Sequence, residues 1–220
     1  MSTITSENTV EKNLDFFFVG NHPALDLANT LVAIKGTPLE LLPDFPAFCH
    51  WVSRAGIAQP DEINLMTRAW GRAQADAFLT DLKDYRAQIK EVIAQVACRE
   101  PIPASFLEAT NRLLISAGAV LQVEAKDTKT FTRTWPLDWR KPESVLGLMA
   151  ETGLNLICDC ESSLIRKCES PDCVLSFYDT TKNHKRRWCS MEVCGNRHKA
   201  TLHRRKVLAT SAIKTDKNTI

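Results

Sequence analysis

The sequence predicts a mainly α (α+β) protein, with a multihelical N-terminal domain that includes a small β-hairpin and a compact C-terminal finger. Three observations support this fold class. Apolar residues recur at helical spacing through most of residues 21–157, alternating polarity is confined to one short stretch, and four cysteines cluster near the C-terminus. A chain of 220 residues can hold one large domain and one small module.

Charge is distributed unevenly along the chain. The net charge of +2 conceals 13 Lys and Arg against 5 Asp and Glu in residues 164–220, a balance of +8. Residues 1–163 have 15 Lys and Arg against 21 Asp and Glu, a balance of −6. Two parts of opposite charge are expected to have different partners. We predict a disordered lead-in at 1–13, a helical domain at 14–163, the finger at 164–211 and a tail at 212–220.

The first elements are predicted from one apolar run and one capping residue. Residues 16–19 form an apolar run that Gly20 ends, which predicts a buried strand. Asn21 is placed to cap a helix over residues 22–34, because that stretch carries two apolar stripes at helical spacing. Gly36 ends the predicted helix.

The middle of the chain is predicted to be helical, with one hairpin. The predicted helices are one capped by Asp44 and ended near Gly56, one opened by Pro60, one over residues 73–99, one around Phe106 ended at Gly118, and one from Pro142 to Ile157. Residues 119–125 and 130–135 alternate in polarity around a four-residue turn, which predicts a β-hairpin. Cys49 and Cys98 lie in amphipathic helices and are predicted core residues.

The four C-terminal cysteines carry the strongest functional signal. Cys168, Cys173, Cys189 and Cys194 follow the order C-x4-C-x15-C-x4-C. Two short cysteine pairs separated by a loop can close a tetrahedral sulfur shell around one Zn²⁺. A segment of this size buries too little apolar surface to fold alone, so a structural metal would supply the missing stabilisation.

The spacing predicts a finger built as a zinc knuckle, a hairpin and a helix. Residues 174–178 are predicted to form one strand, Trp188 to lie on the return strand, and Ser190 to cap the final helix. This cap places Cys194 in the first helical turn, where backbone N–H groups stabilise a thiolate.

The ligand set has alternatives at this point. Cys158 and Cys160 could replace a predicted ligand, although the end of the preceding helix is their simpler interpretation. His184, His198 and His203 could also compete, but a solvated or phosphate-facing imidazole is the simpler interpretation of each.

A basic surface surrounds the proposed metal. Lysine and arginine neutralise phosphates, so this concentration of cations predicts DNA binding, whereas a solvated charge run is the alternative. A helix in the major groove would bring Arg197 and Arg204 toward base edges. The candidate nucleic-acid contacts are Lys182, Lys185, Arg186 and Arg187 in the loop and Arg197, Lys199, Arg204 and Arg205 on the helix.

Three polar residues of the first predicted helix are candidates for an effector pocket. His22, Asp26 and Asn29 recur at helical spacing beside apolar stripes. They could line a small polar pocket. A buried hydrogen-bond network that ties helices together is the interpretation we favour, because buried polar groups need partners.

Two strings resemble known families. Residues 188–197, which end in Cys194-Gly195-Asn196-Arg197, resemble the CGNR zinc finger, and residues 179–187 follow its pattern. Residues 24–30 resemble the start of the ABATE domain, although that family often has glycines where this chain has Asn21 and His22. The resemblance implies a bacterial cytoplasmic stress-induced transcription regulator, with an ABATE-like domain at 14–163. It also implies that the four cysteines named above hold zinc.

We therefore predict a DNA-binding regulator whose N-terminal domain senses a small-molecule effector or forms a homodimer. The alternative is a zinc-stabilised protein-interaction module. We expect no enzymatic activity, since the chain has no phosphate-cradling glycine loop, no HExxH and no nucleophile elbow, and a four-cysteine shell leaves zinc no open position. Without a secretory signal or a run of membrane-spanning length, we expect a cytoplasmic protein.

Overall fold

Helices dominate the computed structural model, which describes residues 16–34, 36–118, 122–134 and 137–205. The predicted lead-in at 1–13 and tail at 212–220 lie outside these ranges. The N-terminal part, which we call the body, contains α1 (Pro23–Ala28), α2 (Phe45–Arg54), α3 (Pro60–Ala69), α4 (Arg72–Ala97), α5 (Ala104–Ser116) and α6 (Pro142–Cys158). No helix in the described ranges combines the length and apolarity that crossing a bilayer requires.

Three antiparallel two-stranded sheets accompany the helices. The first pairs β1 (Leu31–Ile34) with β2 (Thr37–Glu40), the second pairs β3 (Gln122–Ala125) with β4 (Phe131–Thr134), and the third pairs β5 (Ile165–Lys167) with β6 (Ser176–Tyr178). The mainly helical fold class with small hairpins is thus confirmed.

The helix predicted over residues 22–34 is wrong in its second half. Helix α1 ends at Ala28, and His22 caps it in place of Asn21, through a 3.3 Å bond from the Ala24 N–H to the ring. The residues after the helix form β1, because hydrogen bonds to β2 and from the Leu41 N–H to the Thr30 carbonyl satisfy their backbone. The strand predicted at residues 16–19 is also wrong, because the described structure assigns none of these residues to a strand.

The other predicted body elements are confirmed within a few residues. Asp44 caps α2 by accepting the Ala47 N–H at 2.9 Å. The proline signals at Pro60 and Pro142 coincide with the first turns of α3 and α6. Of the two predicted core cysteines, Cys49 is buried, whereas Cys98, the C-cap of α4, is exposed, so that prediction is wrong for Cys98.

The finger consists of β5, β6, a loop over residues 179–190, a π-turn (Met191–Gly195) and α7 (196–205). Its hairpin differs from the predicted one. Strand β6 pairs with β5, which precedes the first cysteine, and not with a return strand through Trp188. Ser190 caps the π-turn as predicted, since its hydroxyl accepts the Val193 N–H at 3.3 Å.

Two hydrophobic clusters hold the molecule together, and both include finger residues. The large cluster packs α4, α5 and α6 around Tyr85 and Phe106, and Ile165 of β5 joins it. The small cluster places Val32 and Leu41, from the first hairpin of the body, against Phe177 and the cysteines of the finger. The finger therefore shares its apolar core with the body.

Candidate metal centre and basic surface

The four predicted cysteines come together at one point of the finger. Cys168 follows β5, Cys173 lies in the turn before β6, Cys189 ends the loop, and Cys194 lies in the π-turn. Their sulfur atoms all lie within 4.8 Å of one another. The Cys173 and Cys189 sulfurs are 3.6 Å apart, as are those of Cys189 and Cys194.

This geometry fits one tetrahedral zinc ion. A zinc–sulfur bond of about 2.3 Å places the sulfurs of a regular tetrahedron about 3.8 Å apart, close to the separations found here. The sulfurs of Cys168, Cys189 and Cys194 are in buried residues, and Cys173 is half-buried. Cys168, Cys173, Cys189 and Cys194 could hold one structural zinc ion, as the spacing predicted.

The alternative ligands lie elsewhere. Within the described ranges, the group of close metal-ligating side chains contains these four cysteines and no other residue. Cys158 is exposed at the end of α6. The His184 ring faces the Asp179 carbonyl at 3.3 Å, and the His198 ring packs on Trp188 with centroids 4.7 Å apart.

The sulfurs lie in an environment that favours thiolates on one side of the cluster. The Cys189 N–H donates to the Cys168 sulfur at 3.3 Å. A bond from the Cys189 thiol lowers the pKa of Cys173 to about 5, whereas burial raises the pKa of Cys194 to about 11. Zinc binds thiolates, so binding the ion would release protons from the cluster.

The loop beside the cluster is organised by a buried carboxylate. Asp179 is fully buried, and its oxygens accept the Thr181 N–H at 3.0 Å, the Thr181 hydroxyl at 2.6 Å and the Arg186 N–H at 2.9 Å. Burial alone would raise the pKa of Asp179, but these bonds and the charge of Arg166 lower it below its ordinary value. A charged Asp179 therefore fixes the loop that presents the basic residues.

Arg186, one of the predicted DNA contacts, also has a structural role that the sequence did not indicate. Its guanidinium donates to the carbonyls of Trp188 at 3.0 Å, Val19 at 2.9 Å and Cys189 at 2.6 Å. It also lies over the Phe177 ring, 4.1 Å from the centroid. Burial lowers the pKa of Arg186. These contacts join the loop, the metal centre and the body through the Nε and Nη2 atoms of Arg186. A DNA contact by Arg186 stays a prediction.

The loop cations, Arg186 included, line a surface groove of about 550 Å³ beside an aromatic ring. Lys182, Lys185 and Arg187 are exposed, and Trp188 is half-buried. The Arg187 guanidinium contacts Glu169 at 2.6 Å and lies 5.0 Å from the centroid of the Trp188 ring. We name this surface the basic groove; its lining includes Lys182, Lys185, Arg186, Arg187, Trp188 and Met191.

The helix cations are exposed on α7. Arg197, Lys199, Arg204 and Arg205 are all solvent-exposed. Arg197 differs from the others because it also lines a larger cavity between the finger and the body.

The three candidates for the effector pocket extend along α1 from its N-cap, His22, to its C-cap, Asn29, and none of them lines either of these two cavities. The Asp26 carboxylate accepts the Gly20 N–H at 2.8 Å, and burial raises its pKa to about 6. The Asn29 side chain donates to the Ser176 carbonyl and accepts the Ser176 N–H, both at 2.9 Å. Burial lowers the pKa of His22. Asp26 and Asn29 thus belong to a hydrogen-bond network, while an effector role for these residues stays a prediction.

Sequence reasoning singled out Asn29 for a buried hydrogen-bond network but missed Ser176, the finger residue to which it binds. The reciprocal bond between Asn29 and Ser176 joins positions far apart in the chain, and no local pattern signals it. Asp179 had a weak signal, because an aspartate followed by two threonines is typical of a side-chain-capped turn.

Comparison with known families agrees with this geometry. Residues 21–159 match the ABATE family, whose description is "Putative stress-induced transcription regulator". Residues 165–206 match the CGNR zinc finger. A search of curated proteins found no match.

Proposed function

The chain belongs to the ABATE family and carries a CGNR zinc finger, and from this premise we propose that it is a DNA-binding transcription regulator. In this proposal the finger binds duplex DNA in a bacterial cytoplasm, as part of a stress response. The body senses a small-molecule effector or forms a homodimer. The protein acts by binding and not by catalysis.

The observation that carries the proposal is the exposure of cations on a finger fixed by four cysteines. Lys182 and Lys185 line the basic groove, and Lys199, Arg204 and Arg205 extend from α7. Clustered Lys and Arg side chains attract DNA, and each one that neutralises a phosphate releases condensed counterions, which favours binding. Arg187 adds a further cation beside Trp188, although Glu169 offsets part of its charge.

Binding to a short labelled duplex, measured by fluorescence anisotropy over a salt series, tests the proposal. We expect the double variant Lys182→Gln/Lys185→Gln to bind more weakly and to reduce the magnitude of the slope of log K against log salt by up to about 1.8, or about 0.9 for each lost phosphate contact. The matched control, Lys126→Gln/Lys129→Gln, removes two exposed lysines from the β3–β4 hairpin and should leave the slope unchanged.

Cys189→Ser should abolish binding, because it removes a zinc ligand. If the folded, zinc-loaded protein shows no affinity for duplex DNA at low salt, the proposal fails.

A protein-interaction module is the second candidate. Two apolar side chains on the finger favour it, since Met191 is 53% exposed and Leu202 is 44% exposed. A pulldown from nuclease-treated lysate separates the two functions. Partners that persist without nucleic acid and are lost with Leu202→Ser would favour the interaction module.

A further inference from the structure

A cavity of about 680 Å³ lies between the finger and the body. Small-molecule sites commonly have volumes of roughly 300–1,000 Å³. Phe17, Val19, Val32 and Ala33 line the cavity from the body side. The finger contributes Val174, Leu175 and Val193, together with three of the four cysteines. The cavity is therefore a shared feature of both parts of the molecule, and it is separate from the basic groove.

The chemistry of the walls favours an occupant without charge. Most lining side chains are apolar, and the two charged ones, Asp172 and Arg197, have opposite signs and are both exposed to water. The hydroxyl of Ser190 already accepts the Val193 N–H as a helix cap. Any ion in this cavity would lose hydration, and an anion would also be repelled by the zinc-bound thiolates. The attraction of those thiolates for a cation is offset in part by the charge of the zinc ion that they bind.

We propose that this cavity is a binding site for an uncharged apolar small molecule, and that its occupancy stabilises the zinc-loaded finger against loss of the metal. A regulatory role for this site rests on the proposed function. Binding of the small molecule does not, because it requires only that the finger and the body form the cavity between them.

The contacts around the cavity explain how an occupant would act on the metal centre. Cys173, Cys189 and Cys194 line the cavity, so an occupant would exclude water and chelators from that side of the sulfur shell. An apolar ligand that requires both walls would bind only while the finger is docked on the body. Linkage then makes the ligand stabilise the docked, zinc-loaded state.

The same contacts connect the cavity to the basic groove. The Arg186 guanidinium donates to the carbonyls of Val19 and Cys189, and both of these residues line the cavity. The Arg186 backbone N–H is bound to Asp179, which orders the loop. An occupant that shifts either cavity wall would therefore move the loop that carries Lys182 and Lys185.

The first test measures binding to the full-length, zinc-loaded chain with N-phenyl-1-naphthylamine, an uncharged apolar fluorophore. We expect saturable binding with one site per chain, and displacement by decanol. Decanoate and decylamine have the same chain length but carry a charge, and we expect each to displace the probe about tenfold less well.

Two substitutions narrow the cavity from opposite sides. Ala33→Phe does so from β1, and Val193→Trp does so from the finger, at a position that is 57% exposed. Each should weaken probe binding by about tenfold or more. The control Ala87→Phe makes the same change on the exposed surface of α4 and should bind the probe like the original chain. Zinc content reports whether each variant retains its metal centre.

The second test follows zinc release to a chromogenic chelator with and without decanol. We expect decanol to slow zinc release several-fold in the original chain and in Ala87→Phe, but not in Val193→Trp.

The inference is overturned if the probe does not bind, or if decanoate or decylamine displaces it better than decanol does. It is also overturned if Val193→Trp binds the probe like Ala87→Phe, or if decanol leaves the rate of zinc release unchanged. Neither test measures DNA binding. A failure of the proposed function therefore does not overturn the cavity as a binding site, and a failure of the cavity tests does not overturn the proposed function.

Discussion

Asn29 is a buried side chain that joins the end of α1 to strand β6 of the finger. Both polar atoms of its amide are used, one as a donor to the Ser176 carbonyl and one as an acceptor from the Ser176 N–H. Ser176 is itself 5% exposed, so its backbone has no access to water as a substitute partner. Loss of this amide would leave two buried backbone groups without a bond.

We expect Asn29→Ala to lower the free energy of unfolding by about 2–4 kcal/mol, since each unsatisfied buried group costs about 1–3 kcal/mol. Urea denaturation followed by circular dichroism measures the change. Asn64→Ala, at an exposed position of α3, is the control and should change stability by less than about 0.5 kcal/mol. Equal stabilities for the two variants would show that the bond to Ser176 does not hold the finger.

The close contact between α4 and α6 depends on a glycine. A Cβ atom added at Gly153 would lie 2.1 Å from the Tyr85 hydroxyl oxygen and 3.0 Å from its Cζ. That hydroxyl is fixed by bonds to the Thr110 hydroxyl at 3.0 Å and to the Ala150 carbonyl at 3.3 Å, so it cannot move away freely. The absent side chain at Gly153 is what allows the two helices to approach.

Gly153→Ala should therefore destabilise the protein by about 1–3 kcal/mol, although alanine normally favours a helix over glycine. Removal of the obstructing oxygen by Tyr85→Phe provides the control. In urea denaturation, Gly153→Ala should lower the free energy of unfolding by less in the Tyr85→Phe background than in the original chain. An identical cost in both backgrounds would exclude the clash with the hydroxyl as the cause.

The helices of the body could be predicted because their signals are local. The Asp44 cap, the prolines at the starts of α3 and α6, and the apolar spacing of α4 all lie within the element that they define. Strand β1 could not be predicted in this way. Its apolar residues fit a helical stripe equally well, and contacts with residues distant in the sequence determine that it forms a strand and not a helix.

Those distant contacts come from α4. Arg86 donates to the Thr30 hydroxyl at 2.8 Å and forms an ion pair with Glu40, while the Lys90 ammonium donates to the Leu31 carbonyl at 2.9 Å. These bonds hold the chain on both sides of the first hairpin. The metal ligands, by contrast, could be predicted from the sequence, because the pairing of short cysteine spacings is itself the signal.

The finger and the body share two hydrophobic clusters, which makes the metal centre part of the whole fold. Ile165 packs in the large cluster, and Phe177 packs with Val32 in the small one. Arg186 adds a bond to the Val19 carbonyl, and the Gly20 carbonyl accepts the Tyr178 N–H at 2.7 Å. A structural zinc ion would therefore stabilise residues well beyond the four cysteines.

We expect the zinc-loaded protein to unfold in one cooperative thermal transition, and a chelator to lower its midpoint by roughly 10 °C. A free-ligand concentration about 1,000-fold above Kd contributes about 4 kcal/mol, and about 1 kcal/mol shifts Tm by 2–4 °C in a protein of this size. Differential scanning calorimetry measures the shift, and Cys189→Ser should reproduce it without chelator. The control Cys98→Ser, at an exposed position outside the metal centre, should retain zinc and the original midpoint. Two separate transitions, with the body's midpoint unmoved by the chelator, would mean that the shared clusters do not couple the finger to the body.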